Sequence, residues 1–281
     1  MGFSGSLALA DAFALFKSRF GPMLAVSILY YVLLAVVMAV FGASFFTQMM
    51  TMGMNAGGDP AAALPAGFGI SIVILYLLIY SLNFFQQAAL CRLCSDRHEP
   101  NLGDAISTGI RSVPTLLGAA VLLIIALIGV SIVLSIAGAV VMMGARSAGL
   151  SLLVALALLI GFAYLGMRLS MILPSVAIED QRNPIAAIGR SWAMTRGNAL
   201  KLFLLFVAVM LVMGLIGMML FFVTLGFPQP GIVPSAGGMI GFFIAMVMFG
   251  LTLGIYFVAL IAAIHRQLAG PSVAAVQETF A

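Results

Sequence analysis

Arg168 lies inside a long apolar stretch, where an ionised side chain is rare. A guanidinium at membrane depth costs about 2.5–3.5 kcal/mol and therefore faces a partner or water. Asn83, Gln86 and Gln87 form a polar patch in another apolar stretch, so we expect them to meet Arg168. Such a cluster could bind an anionic headgroup or solute. Alternatively, Arg168 could bond to backbone carbonyls exposed near Pro174 or extend to the membrane interface, and this structural interpretation is favoured.

Cys91 and Cys94 are the two cysteines of the chain, and His98 and Glu99 follow them closely. Two cysteines three positions apart on a helix share a face, and thiolate with imidazole suits zinc. A structural zinc site normally needs four ligands, and the second histidine, His265, is distant in sequence. We therefore expect the cysteines to pack as small apolar side chains, with a zinc site at Cys91, Cys94 and His98 as the weaker alternative and redox chemistry weaker still.

Catalytic motifs are nearly absent from the sequence. It contains no glycine-rich phosphate loop, no H-E-x-x-H motif and no pair of carboxylates within an apolar stretch. Serines that could act as nucleophiles are abundant, but a general base is lacking, because His98 and His265 both lie among basic residues. The sequence therefore predicts a protein that is not an enzyme and that needs no cofactor.

The composition excludes a water-soluble globule. Of 281 residues, 64% are hydrophobic and 7% are charged, whereas soluble domains have about 45–50% apolar and about 25% charged residues. The net charge of +4 comes from 12 Lys and Arg residues scattered between apolar stretches. Because they form no continuous basic stripe, nucleic acid is not an expected partner.

Six stretches are long and apolar enough to cross a bilayer, which takes about 20 residues each. They cover residues 21–46, 68–90, 115–143, 150–171, 202–225 and 239–264. The fold predicted from them is all-α, a polytopic membrane bundle of six transmembrane helices. Gly250 and Gly254, four positions apart in the last stretch, allow a close approach between helices, either within this bundle or between copies of the chain.

Ten of the 12 basic residues lie on one side of these predicted spans, and Arg146 is the one cation in the three loops of the other side. Lys and Arg resist translocation during membrane insertion. Both termini and the charged loops are therefore expected in the cytoplasm.

A short amphipathic segment precedes each odd-numbered span. The apolar positions of the first two segments recur at helical spacing: Leu9, Phe13, Phe16 and Phe20, then Leu102, Ile106, Ile110 and Val113. Such segments favour three short helices in the cytoplasmic interface. The chain is then a single membrane domain of three parallel repeats (interfacial helix, span, span), covering about 6–94, 101–178 and 184–266, with a tail at 267–281.

The third repeat contains the most distinctive run of residues. Beyond Arg168 it comprises Pro174, Glu179, Ser191, Trp192, Thr195, Arg196, Gly197 and Asn198. This order resembles a bacterial six-span family that includes YciC-type inner-membrane proteins and the membrane domain attached to some glycerophosphoryl diester phosphodiesterases. The resemblance implies a bacterial inner-membrane protein without the phosphodiesterase activity, which belongs to a separate soluble domain in that family. Trp192 is expected to anchor at the membrane interface.

The function expected from these features is a non-enzymatic membrane protein that interacts with lipids or binds partners. The expected partners are membrane lipids, with other membrane proteins or a second copy of the chain as alternatives. A transporter or flippase-like carrier of a lipid or a small anionic solute is the competing hypothesis, motivated by Arg168 and the internal repeats.

Overall fold

The computed structural model describes residues 3–54, 68–95, 101–144, 148–226 and 235–269, and regular structure within these ranges is entirely helical. The helices are α1 (Gly5–Val37), α2 (Ala43–Met54), α3 (Phe68–Leu93), α4 (Leu102–Gly144), α5 (Ala148–Leu169), α6 (Ile172–Ala177), α7 (Pro184–Met194), α8 (Ala199–Leu225) and α9 (Ala236–Ala269). One π-helical turn, Met38–Gly42, joins α1 to α2.

Six helical segments in the described ranges are long and apolar enough to span a membrane. They are Gly5–Thr47, Gly69–Leu93, Leu102–Val133, Leu159–Ala177, Ala199–Leu225 and Gly237–Ala269. Their interhelical contacts link α3 with α4, α1 with α9 and α3, and α8 with α9. The predicted all-α, multi-pass membrane architecture is confirmed.

The first two amphipathic segments are not separate interfacial helices, which corrects that prediction. Each forms the first turns of a long helix that continues into the span, with Pro22 inside α1 and Pro114 inside α4. A proline in a helix removes one hydrogen bond to the carbonyl four residues earlier. Those carbonyls belong to Ser18 and Ile110, two exposed residues, and both helices continue past the proline.

The third amphipathic segment does form a separate helix, α7. Asn183 caps it, because its side-chain oxygen accepts hydrogen bonds from the backbone N–H groups of Ile185 (2.9 Å) and Ala186 (3.4 Å). Pro184 occupies the first turn, where a missing N–H costs nothing. Upstream, Pro174 accompanies a break between α5 and α6 at Ser170 and Met171.

The buried core occupies only one end of the bundle, here called the packed end. Its buried side chains come from residues 3–30, 85–95, 105–119, 168–209 and 255–265. The other parts of the same helices, here called the unpacked half, cover residues 31–54, 69–84, 120–135, 153–167, 210–226 and 235–254. Among the side chains described in the unpacked half, only Gly42 and Leu75 are buried.

Helices α3 and α4 approach each other closely at Gly109. A Cβ atom at this position would lie 2.8 Å from Cδ2 of Phe85, 2.9 Å from its carbonyl oxygen and 3.1 Å from Cβ of Ala89. The two backbones can therefore reach this separation because position 109 lacks a side chain.

Candidate functional site

A cavity of about 380 Å³ lies at the boundary between the packed end and the unpacked half. Helices α1, α3, α8 and α9 surround it, and its polar wall consists of Tyr30, Tyr31, Asn83, Gln86 and Gln87. We call it the amide cavity. Its volume lies within the range of roughly 300–1,000 Å³ that is typical of small-molecule sites.

The opposite wall of the amide cavity is apolar and contains Met210 of α8 with Phe257, Gly250 and Gly254 of α9. A Cβ atom at either glycine would meet no other atom within 4 Å. Within the described chain no neighbouring helix therefore approaches closely at Gly250 and Gly254, and an approach between copies of the chain stays a prediction. These positions instead leave space on the cavity wall.

The amide groups of the cavity bond to α1 and to each other. The Gln86 amide nitrogen donates to the hydroxyl of Ser27 at 3.3 Å, and the fully buried Ser27 donates in turn to the carbonyl of Met23 at 2.9 Å. The Gln87 amide nitrogen donates to the side-chain oxygen of Asn83. Both glutamine oxygens and the Asn83 nitrogen take no part in these bonds, and each can pair with a ligand.

Two apolar grooves adjoin the amide cavity. The first, the α5–α8 groove, has a volume of about 490 Å³ and shares Met210 and Phe257 with the cavity. The second, the α3–α4 groove, has a volume of about 230 Å³ and shares Gln87 with it. Met210 and Phe257 therefore line both the amide cavity and the α5–α8 groove, and Gln87 lines both the amide cavity and the α3–α4 groove.

Arg168 does not join the amide residues in one cluster, which corrects that prediction. Its Nε donates to the hydroxyl of Tyr164 at 2.9 Å, and its Nη1 donates to the carbonyl oxygen of Trp192 at 3.2 Å. The guanidinium carbon also lies 5.3 Å from the ring centre of Tyr164 and 4.8 Å from that of Trp192. Arg168, which is 9% exposed, thus joins α5 to α7 through aromatic and backbone contacts.

The motif residues Ser191 and Thr195 stabilise the break after α5. The Ser191 hydroxyl donates to the carbonyl of Arg168 at 2.7 Å and accepts from the backbone N–H of Met171 at 3.1 Å. Thr195 donates to the carbonyl of Ser191 at 2.9 Å. Because Pro174 cannot continue the α5 hydrogen-bond ladder, Ser191 supplies partners for backbone groups on both sides of the break.

The last motif residues form the turn between α7 and α8. Arg196 is exposed, Gly197 has a φ of 80°, and Asn198 occupies the N-cap position of α8. A positive φ of this size favours glycine because other residues pay a steric cost there. This part of the motif therefore determines how the chain enters the next span.

Glu179 connects α7 to α9. Its carboxylate accepts hydrogen bonds from Nε (2.9 Å) and Nη2 (3.0 Å) of Arg190, and it pairs with Nε2 of His265 at 3.1 Å. Burial alone would raise the pKa of Glu179, but the hydrogen bonds and charges of His265 and Arg190 lower it from 4.5 to about 2. The Glu179 carboxylate in turn raises the pKa of Arg190.

Further ion pairs tie α3, α4 and the segment before α7 together at the packed end. Arg92 bonds to Asp104 of α4 at 2.7 Å and to Asp180 at 3.1 Å, while Arg182 bonds to Asp180 at 2.7 Å and to the hydroxyl of Ser112 at 3.3 Å. The Asp180 carboxylate thus pairs with both Arg92 and Arg182. Its backbone has a φ of 53°.

Helix α1 is attached to two neighbours at this end. Its Asp11 pairs with Arg266 of α9 at 2.6 Å. Its Arg19 donates to the backbone carbonyls of Leu93 and Ser95 at the end of α3, the latter at 2.9 Å. The basic residues that lie at the packed end thus include several that hold helices together.

Cys91 and Cys94 are both buried in the packed end. The Cys94 sulfur lies 3.9 Å from the sulfur of Met23. Among the described residues no group of three or more His, Cys, Asp and Glu side chains could hold a metal. His98 and Glu99 lie outside the described residues, so the three-residue metal candidate stays a prediction.

The two cavity tyrosines and the two cavity glycines were not identified as site residues from the sequence. Tyr30 and Tyr31 lie among apolar residues of the first span and carry no spacing signal of their own. The pairing of Asp180 with Arg92, 88 positions apart, also depends on tertiary contacts. The signal that the sequence did offer was a group of polar residues within an apolar stretch, and it identified the amides alone.

A family model described as Domain of unknown function (DUF7847) matches residues 104–268, more than half of the 281-residue chain. Neither the curated proteins nor the solved structures contain a significant match. The matched range includes Arg168, the motif residues, the ion pairs of Glu179 and the Asp180–Arg182 pair, whereas the cavity amides precede it.

Proposed function

We propose that this chain, which belongs to the family described as Domain of unknown function (DUF7847), is a non-enzymatic membrane protein that binds lipid in the amide cavity. The observation that carries the proposal is a polar cavity that shares lining residues with two apolar grooves inside a membrane-spanning bundle. A lipid has the same division into a polar headgroup and apolar chains.

Access from the bilayer supports this proposal. The cavity borders the unpacked half, where the helix surfaces are exposed rather than packed against one another. On α1 this half begins after Tyr30, on α8 it begins at Met210, and on α9 it ends at Gly254. Lipid chains are the apolar solvent available to such surfaces. A lipid can therefore reach the cavity without separating the buried core.

The chemistry of the cavity favours binding over catalysis. Amides form hydrogen bonds but serve neither as general acids or bases nor as nucleophiles at neutral pH. The phenols of Tyr30 and Tyr31 add hydrogen-bonding groups beside them. The proposed role is consequently to hold or present a lipid rather than to convert it.

We also propose a location in the bacterial inner membrane, with both termini in the cytoplasm. The excess of Lys and Arg around the packed end supports this orientation because such residues resist translocation. The amide cavity would then open towards the outer side of the bilayer. We further propose that the chain consists of three parallel repeats, as the sequence predicts.

The test is cross-linking to lipids whose acyl chains contain a diazirine. The full chain is reconstituted with diazirine forms of diacylglycerol, phosphatidylglycerol and phosphatidylethanolamine, and labelled peptides are mapped. Labelling is expected around Met210 and Phe257. Gly254→Leu should fill the cavity and reduce this labelling, whereas Gly241→Leu, on the same helix and also with no atom within 4 Å of its Cβ position, should leave it unchanged. Equal labelling of both variants and wild type would refute the proposal.

A carrier of a lipid or a small anionic solute is the second candidate. The observation in its favour is that the packed core closes one side of the cavity while the helices are unpacked on the other. Carriers need such a one-sided opening, with a second state that opens the opposite side. Accelerated transfer of a fluorescent lipid across reconstituted vesicles, lost in Gly254→Leu but kept in Gly241→Leu, would favour this candidate.

A further inference from the structure

The wall of the amide cavity carries hydrogen-bonding groups without formal charge. Its described polar side chains are three amides and two phenols, and none of its described lining residues is Asp, Glu, Lys, Arg or His. A charged group in a poorly solvated site requires an opposite charge or neutralisation. The cavity provides neither for a phosphate, so its lining favours an uncharged headgroup.

The two arginines that are buried among the described residues have other partners. Arg168, which we first expected beside the amides, donates to Tyr164 and Trp192. Arg92 pairs with Asp104 and Asp180 in the packed end. Recruiting either arginine to a lipid phosphate would require breaking these contacts.

The position of the amides along α3 also favours an uncharged group. Gln86 precedes the end of the span at Leu93 by seven residues, or about 10 Å at roughly 1.5 Å per helical residue. At this depth an ionic headgroup is costly, whereas a hydroxyl or ester carbonyl needs only a hydrogen-bond partner. The oxygens of Gln86 and Gln87 can accept from a hydroxyl, and the Asn83 nitrogen can donate to a carbonyl.

The α5–α8 groove and the α3–α4 groove, both mostly apolar, border the cavity. Met210 and Phe257 line both the cavity and the first groove, and Gln87 lines both the cavity and the second. Acyl chains ester-linked to a headgroup in the cavity would pass over these shared side chains to reach apolar walls.

We propose that the amide cavity binds an uncharged, hydroxyl-bearing acylglycerol of the diacylglycerol class, with its hydroxyl and ester groups bonded to Asn83, Gln86 and Gln87. This inference rests on the proposed lipid-binding function and specifies the ligand. It differs from the initial expectation of an anionic headgroup because the cavity contains amides and phenols instead of the arginine.

The experiment compares three diazirine probes with the same acyl chains: diacylglycerol, phosphatidic acid and phosphatidylcholine. Each is added separately, at equal mole fraction, to the full chain in phosphatidylcholine nanodiscs. Labelling of peptides containing Met210 or Phe257 should be about tenfold stronger with diacylglycerol than with either phospholipid, because desolvating the phosphate is costly.

Gln86→Met retains the side-chain size but removes its hydrogen-bonding groups, and it should lower diacylglycerol labelling about fivefold. Asn83→Leu should act in the same direction and provides a second variant if one folds poorly. Gln181→Met, outside the cavity lining, is the matched control and should retain wild-type labelling.

The possible results distinguish the two proposals. Labelling by either phospholipid at or above the diacylglycerol level would overturn the ligand assignment and leave lipid binding intact. Diacylglycerol labelling that Gln86→Met and Asn83→Leu do not reduce would also overturn it, because shape alone would then account for binding. If none of the probes labelled the cavity peptides, the proposed lipid-binding function itself would be refuted.

Discussion

Arg168 is held by a neighbour on its own helix, Tyr164, and by Trp192 on α7. A lysine in its place would retain a positive charge but lose the planar group that stacks on both rings and bonds to two acceptors. The arrangement therefore supports the structural interpretation of this intramembrane cation, with partners other than those we expected.

Arg168→Lys should lower the free energy of unfolding by about 1–2 kcal/mol, because aromatic and backbone contacts of the guanidinium are lost. SDS titration of the protein in mixed micelles measures this change. Arg196→Lys changes an exposed arginine of the same segment and should alter stability by less than about 0.5 kcal/mol. Equal effects of the two substitutions would contradict the structural role of Arg168.

Glu179 should make the stability depend on pH. Its pKa is about 2 in the folded protein and 4.5 without its partners, so the unfolded chain binds the proton more tightly. The resulting stabilisation is fully present above about pH 4.5 and is lost as the pH falls towards about 2. Because Arg190 is partly exposed, solvent weakens its interaction with Glu179. We therefore expect the stabilisation of the folded protein to be about 2 kcal/mol.

The measurement is the unfolding free energy of wild type and Glu179→Gln as a function of pH. The difference between them should be largest above about pH 4.5 and should shrink steadily at lower pH. The groups that face Glu179 are Arg190 on α7 and His265 on α9. A difference that does not vary over this pH range would show that the carboxylate does not titrate as described.

The sequence predicted some of these residue roles. Ser191, Trp192 and Thr195 were singled out as a motif, and Asn83, Gln86 and Gln87 as an intramembrane polar group. The partners of Arg168 could not be predicted. Trp192 lies 24 positions further along the chain, and it reaches Arg168 only because the helix breaks near Pro174 and α7 folds back against α5. Residue type indicates that a buried cation needs a partner but does not identify it.

The contact between α3 and α4 depends on the missing side chain at Gly109. Gly109→Ala should lower the unfolding free energy by about 1–3 kcal/mol, because its Cβ would meet the carbonyl oxygen of Phe85 at 2.9 Å and the backbones would have to separate. Gly129→Ala lies on the same helix with no atom within 4 Å. It should be neutral or stabilising by up to about 1 kcal/mol. Thermal unfolding in detergent compares the pair, and equal midpoints would refute the close approach.

Prolines illustrate how far element boundaries could be predicted. The sequence predicts short interfacial helices before the first and third spans, yet α1 and α4 continue through Pro22 and Pro114 into those spans. Pro174 does accompany a break. The difference is tertiary: Ser191 of α7 satisfies backbone groups at that break, whereas the carbonyls of Ser18 and Ile110 belong to exposed residues. Local sequence does not contain this information.

For the whole molecule, the number of spans followed from hydropathy because each backbone polar group in a bilayer must be satisfied within its own helix. The placement of the core did not follow, since residues of both halves are similarly apolar. Small buried residues such as Ala8, Ala12, Ala259 and Ala263 allow close packing at one end. Exposed, bulkier residues such as Ile124, Ile125, Met218 and Met219 occupy the other.

The proposed orientation can be tested with single cysteines in a Cys91→Ala, Cys94→Ala background. Ser235→Cys should react with an impermeant maleimide added to intact cells, because Ser235 is exposed at the end of the unpacked half. Arg196→Cys, exposed at the packed end, should react only after permeabilisation. Reversed reactivity would place the packed end outside and overturn the orientation.

A core confined to one end has a consequence for hydrophobic mismatch. Helices adapt to bilayer thickness mainly by changing tilt, and dense packing resists this change. Helix α9, with 34 residues and a length of about 51 Å, exceeds a hydrocarbon layer of roughly 30 Å. Since its first half has few buried contacts to lose, it can tilt there while the packed end keeps its geometry. The unfolding midpoint should therefore change little between bilayers of short-chain and long-chain phosphatidylcholine.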